Sequence, residues 1–170
     1  MERKFYRFKG AYKQSAIKII PKIKGQNDYD STAVLSVNSI LKEKNIFDVY
    51  EGKKLFDIIQ FADSTCNFAI SKKLKKVLDE GNISGWDCFP IEIEGIQEVY
   101  YAFVNTSKAG EILNLNDVIN YLTEYREFDI STWNGSSIFY LDKTTLNVCT
   151  EEVMNLILKE KITNIEFNSL

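Results

Sequence analysis

A helix unit that recurs 79 residues further along constrains this chain more than any other feature of its sequence. In the first copy, AISKKLKKVLDEGNISGWDCFPIEI over residues 69–93, Ser71 is a natural N-cap. Its hydroxyl can accept from a backbone N–H of the first helical turn. Leu74, Val77 and Leu78 then fall at i, i+3 and i+4, one apolar stripe, with lysines on the other faces. Gly81 can end the helix in a left-handed conformation. Ile83, Trp86 and Phe89 are spaced to fold back onto the stripe, Gly85 leaves room for the bend, and Pro90 suits the start of a strand. Shifted by 79, Ser71 meets Thr150, Leu74 meets Val153, Val77 meets Leu156, Leu78 meets Ile157 and Ile83 meets Ile162. The cap, the stripe and the isoleucine after the helix all keep register. Two strand–helix–turn units, about 57–89 and 136–167, predict a pseudo-symmetric α+β body within one domain over residues 1–170. Their surfaces differ in sign, because lysines flank the first helix and Glu151 and Glu152 open the second.

The rest of the chain predicts short strands, mostly antiparallel, and three to four helices in all. KFYRFK and SAIKII have aromatic or β-branched residues at alternate positions and read as an edge hairpin ended by Pro21. Residues 33–44 and 117–125 have helical spacing, with caps at Asp30 or Ser31 and at Asn114 or Asn116. Residues 46–50, 55–61 and 67–70 are strand-like. Ile91, Ile93, Val99, Tyr101 and Phe103 alternate around Gly95 as the clearest hairpin. FDISTWNGSS is a loop with an Asn134-Gly135 turn, followed by strands over 138–141, 146–149 and 165–167.

A chain of 170 residues with 45% hydrophobic and 13% aromatic content can bury a core. It has no histidine, which removes the commonest general base, the commonest zinc ligand and every Ser/His or Cys/His nucleophile pair. Cys66, Cys88 and Cys149 cannot all pair and show no CxxC spacing, and Cys66 and Cys149, in apolar strand-like surroundings, read as buried reduced thiols. Phosphate-binding, nucleotide-binding, nucleophile-elbow and calcium-loop motifs are all missing. No apolar run spans a bilayer and no secretory leader opens the chain, so cytoplasmic residence without a membrane is expected. Glu92, Glu94 and Glu98 could suggest acid–base chemistry or a cation site, but alternate glutamates are better read as the wet face of a strand. Residues 1–24 carry eight basic residues against Glu2 alone, within a net charge of −3. Interleaved with Phe5, Tyr6, Phe8 and Tyr12, they offer a nucleic-acid-binding module built on the basic hairpin as the alternative function. The acidic remainder would repel a polyanion, which makes nucleic acid an unlikely partner. An enzyme using carboxylates or a thiol of depressed pKa is the third class.

LFDII, FAISKKLKKVLDEGNISGWDCFPIEI and VYYAFVN together resemble the immunity protein 11 family of bacterial polymorphic toxin systems. The matching positions are Asp57, Ile70-Ser71, Gly85, Phe89-Pro90 and Tyr100-Tyr101, over residues 55–105 and more loosely 138–167. The second copy departs from the family's pattern, with Asn164 and Ile165 where a glycine and often an aromatic residue stand. The resemblance implies a non-catalytic cytoplasmic immunity protein without cofactor or metal. It would bind a cognate toxin protein by surface complementarity, as a monomer or weak homodimer. An inhibitor of this kind needs central anchors and charge that speeds encounter. For a basic toxin the acidic stretch Glu124, Glu127 and Asp129 with Trp133 is the expected face, with Tyr100, Tyr101 and Glu98 as runner-up. Trp133 reads equally as a core plug.

Overall fold

The computed structural model describes residues 3–22, 46–113, 128–142 and 144–170. In chain order the elements are β1 (Phe5–Gly10), β2 (Lys18–Pro21), β3 (Ile46–Glu51), β4 (Ile58–Phe61), β5 (Ser64–Ser71) and α1 (Lys72–Glu80). Then come β6 (Trp86–Ile93), β7 (Tyr100–Asn105), β8 (Glu111–Ile112) and β9 (Phe128–Asp129). The chain closes with β10 (Ile138–Tyr140), β11 (Asn147–Thr150), α2 (Glu151–Lys159) and β12 (Ile165–Ser169). Six strands close into a barrel in the order β2-β3-β6-β7-β5-β4, and β10-β11-β1-β12 form a four-stranded sheet.

The expectation of an α+β body with three to four helices is overturned. Among the described residues strands take 47% and helix 16%, with only two α-helices, so the protein is mostly β. The expected helices over 33–44 and 117–125 lie outside the described residues. Nor do β1 and β2 form a hairpin: β1 is central in the four-stranded sheet, between β11 and β12, and β2 joins the barrel between β3 and β4. The barrel closes through two parallel pairs, β2 with β4 and β3 with β6. Parallel neighbours need no tight turn, so they leave no turn residues in the sequence.

Alternation along the strands fills three cores. Ile19, Phe47, Ile59, Ala69, Tyr100 and Ala102 point into the barrel. Their neighbours Ile58, Phe68, Ile70 and Phe103 point out of it, onto a second core shared with Phe8, Cys149 and the buried faces of both helices. Phe68 and Phe103 stack there at 4.9 Å, with Phe8 edge-on to each. On the far side of the four-stranded sheet, Phe5, Phe139, Leu141 and Val148 make the third core.

The two helical segments occupy matching places. β4-β5-β7-β6 in the barrel has the same strand order and directions as β10-β11-β1-β12. Ser71 faces Tyr100 on β7, and Thr150 faces Phe5 on β1. Trp86 faces Asn105, and Ile165 faces Gly10. So β1, from the start of the chain, fills in one unit the place that β7 fills in the other. The turns after both helices pass through left-handed residues, Asn82 (φ 50°) and Gly85 (φ 89°) in the first, Lys161 (φ 53°) and Asn164 (φ 63°) in the second. Asparagine is the side chain that best tolerates that region, so Asn164 replaces a glycine without losing the turn.

Candidate partner-binding surface

Of the acidic stretch, Glu124 and Glu127 lie outside the described residues. Asp129 ends β9 and caps a single 3-10 turn, Ile130–Thr132. Its carboxylate accepts from Ser131 N at 2.9 Å and Ser131 Oγ at 2.7 Å. These bonds favour the charged form and hold the carboxyl below its ordinary value. The turn delivers Trp133 against Phe5, edge-on at 5.2 Å, and against Phe139 at 6.4 Å. Its indole Nε1 donates to the Ser136 carbonyl at 3.0 Å, and the Arg3 guanidinium lies 4.8 Å over the ring. Trp133 therefore packs as a half-buried cover on the third core.

The runner-up residues separate by burial. Tyr100 is buried in the barrel, and its hydroxyl donates to the Phe56 carbonyl at 2.7 Å. Burial, with the charges of Asp57 and Glu98 nearby, pushes that phenol up to about 12. Tyr101 lies half-buried on the opposite face of β7 with the Lys75 ammonium 5.7 Å over its ring. Glu98 is exposed. These residues do not join Trp133 in one patch. Trp133 is tied through Ser136 to Ser107, beyond the last residue of β7, while Tyr100 begins that strand. A strand of this length puts roughly 17 Å between them.

A cleft of about 310 Å³ lies between the end of α1 and β6, and none of the expected partner-binding residues lines it. Leu78 and Trp86 form its apolar wall, and Trp86 is held by a bond from Nε1 to the Ile83 carbonyl at 2.9 Å. Behind it, Trp86 stacks on Phe103 at 6.0 Å. Charged groups edge the cleft: Lys75 pairs with Asp79, which raises the ammonium's pKa, and Asp87 accepts from the backbone N–H of Cys88. Burial pushes the Cys88 thiol up, against the opposing pull of Lys75. A thiol kept protonated in this way is a poor nucleophile. The cleft can seat a side chain between an apolar wall and a charged rim of Lys75, Asp79 and Asp87, and Tyr101 adjoins it through Lys75. In the sequence, Lys75 and Asp79 look like any i,i+4 helix pair; the left-handed residues Asn82 and Gly85 bring Asp87 into the same cleft.

Among the described residues, no group of three or more His, Cys, Asp or Glu is placed to hold a metal ion. No helix among them is long and apolar enough to cross a membrane. No family model matches the chain, and no curated protein matches it.

Proposed function

We propose that this protein is a non-catalytic immunity protein that binds and neutralises a cognate bacterial toxin domain by surface complementarity, in the cytoplasm and without a cofactor. The observation that carries this is the placement of the residues on which the family resemblance rests. Asp57 accepts from Ser71 Oγ at 2.7 Å and from both Thr163 N and Thr163 Oγ1 at 2.8 Å. It thus ties the cap of α1 to the turn after α2. Gly85 is the left-handed hinge into β6, and Phe89 and Pro90 continue that strand beside Ala102 and Tyr101. The shared residues build the scaffold, and the exposed charges and rings between them are left to select a partner. A binding protein works in this way, since affinity comes from a few anchors on a rigid frame.

The docking face of the proposal is the α1–β6 cleft, with Tyr101 at its margin. Its rim sets Asp79 and Asp87 against Lys75, a net negative charge that complements a basic toxin and raises the rate of encounter. The test is co-expression with the variable C-terminal domain encoded directly upstream. Restored growth together with a co-purifying complex is the expected result. Unrelieved toxicity with no complex overturns the proposal. Reversing Asp79 and Asp87 to lysine should slow association with that domain, and an unchanged on-rate removes the cleft as the docking face.

A further inference from the structure

Among the described residues, six of fourteen lysines have a carboxylate within 4 Å. Lys9 pairs with Glu166, Lys18 with Glu51, Lys22 with Asp48 and Glu94, and Lys76 with Glu80. Lys13, Lys53 and Lys54 are among the eight described lysines without one, and these three lie together. They lie on two loops clasped by backbone bonds. The N–H groups of Lys53 and Lys54 both donate to the Ser15 carbonyl, at 3.0 and 2.9 Å, and Ile17 N donates to the Lys54 carbonyl at 3.1 Å. Gly52, at φ 84°, lets the loops meet, because a Cβ there would overlap the Ala16 carbonyl. The Phe56 ring lies under both the Lys13 ammonium at 4.7 Å and the Lys54 ammonium at 5.2 Å. Beside them the Tyr12 ring is 78% exposed, with Lys18 at 5.3 Å.

We propose that this pad binds single-stranded nucleic acid, with phosphates on Lys13, Lys53 and Lys54 and a base stacked on Tyr12. Three unneutralised ammonium groups on a rigid support attract a polyanion, and an exposed ring beside them is a stacking platform for any base. Lysines act as point charges toward phosphate, whereas recognition of protein carboxylates favours the arginine fork. The pad described here contains no arginine. Glu51, the carboxylate beside Tyr12, is paired with Lys18 at 2.7 Å, and charges beyond a Debye length, about 8 Å at physiological salt, are screened. This inference goes beyond the immunity reading and does not depend on it.

The experiment is fluorescence anisotropy of the full chain with labelled oligo-dT and oligo-rU of about 12 nucleotides, over a salt series. A labelled poly-glutamate peptide serves as the control. The expected result is saturable binding whose log affinity falls against log salt with a slope of about −2, from three phosphate contacts to a single strand. The dT and rU arms show whether DNA or RNA is preferred. Tyr12→Ala should weaken binding by about 10-fold through lost stacking, and Lys53→Glu, which touches no ring, should weaken it and flatten the slope. Both positions are exposed, and unchanged thermal melting shows that the fold survives. No binding at low salt overturns the proposal. So does equal affinity for poly-glutamate, which would make the pad a face for acidic proteins, or full affinity in Tyr12→Ala.

Discussion

The two four-stranded units have one topology and bury their back faces by different means. In β4-β5-β7-β6 the back face carries Ile59, Ala69 and Tyr100, and the remaining strands β2 and β3 wrap round to enclose it as a barrel. In β10-β11-β1-β12 the same places hold Phe139, Val148 and Phe5. That face is covered by the short pair β8–β9 and by Phe128 and Trp133. A narrow barrel interior selects small residues such as Ala69 and Ala102. An irregular cover must fill space with rings, and Phe5, Phe128, Trp133 and Phe139 meet edge-on there. One backbone plan can thus carry two kinds of core, provided the front faces still meet. They meet at Ile58 and Ile70 from one unit and Ile138 and Cys149 from the other.

The sharpest way to break this equivalence is at the left-handed turns. A Cβ at Gly85 would overlap the Ile138 carbonyl, at a φ of 89°. Gly85→Ala should cost roughly 3 kcal/mol or more in urea unfolding, from strain plus displacement of β10. The matching Asn164 already carries a side chain at φ 63° and donates from Nδ2 to the Ile58 carbonyl at 2.9 Å. Asn164→Gly should therefore cost no more than about 1 kcal/mol, as the lost bond is offset by relief of the left-handed backbone. Equal losses at both sites would mean that the turns do not play matching parts.

Local chemistry made some of this visible in the sequence and hid the rest. Ser71 and the stripe of Leu74 and Leu78 were legible, because a cap and an i,i+4 pair act within a single helix; Leu74 N does donate to Ser71 Oγ, at 3.2 Å. Closure of the barrel was not legible. Ile17 and Ile19 alternate as they would in an edge hairpin, and nothing local tells β1 to leave β2 for β11 and β12 at the other end of the chain. Trp133 fits an interface anchor or a core plug equally well until Phe5 is brought against it. The lysine pad was split in the sequence, since Tyr12 and Lys13 lie some forty positions before Lys53 and Lys54.

The clamps between the units differ next. Asp57 holds Ser71 and Thr163, and its Asp57 N–H donates back to Thr163 Oγ1 at 3.0 Å. The corresponding contact joins Ser137 and Ser84 by hydroxyls 3.2 Å apart and by Ser137 N to Ser84 Oγ at 3.0 Å. Bonds to a carboxylate are the stronger kind. Asp57→Ala should cost about 2–3 kcal/mol and Ser137→Ala about 1 kcal/mol by the same measurement. A reversed order would shift the main tie to the serine pair.

Tyr100 and its counterpart Phe5 separate by pH. The phenol is raised from 10 to about 12 by burial, so the neutral form is favoured in the folded state. That stability is fully present below pH 10 and is lost as the pH rises through 12. The loss should reach roughly 1 kcal/mol by pH 11. Tyr100→Phe, which restores the residue type of the other unit, should remove this alkaline dependence while costing about 1 kcal/mol at neutral pH for the bond to Phe56. An unchanged alkaline limb in chemical denaturation from pH 9 to 11.5 would place the titration on another residue.

The smallest effect is expected at the second of the two helix caps. Ser71 Oγ is used twice, accepting from Leu74 N and donating to Asp57. Thr150 occupies the same place before α2, yet its hydroxyl makes no cap bond and its Oγ1 is buried without a partner. With no carboxylate in the Asp57 position of that unit, the hydroxyl has nothing to donate to, and the first turn of α2 relies on Glu151 and Glu152 for its stabilisation. Ser71→Ala should lower stability by about 1 kcal/mol or slightly more. Thr150→Val keeps the shape and removes an unsatisfied oxygen, so stability should stay level or rise by up to about 1 kcal/mol. Paired unfolding curves decide it: a loss at Thr150 as large as that at Ser71 would show that the second cap binds its helix after all.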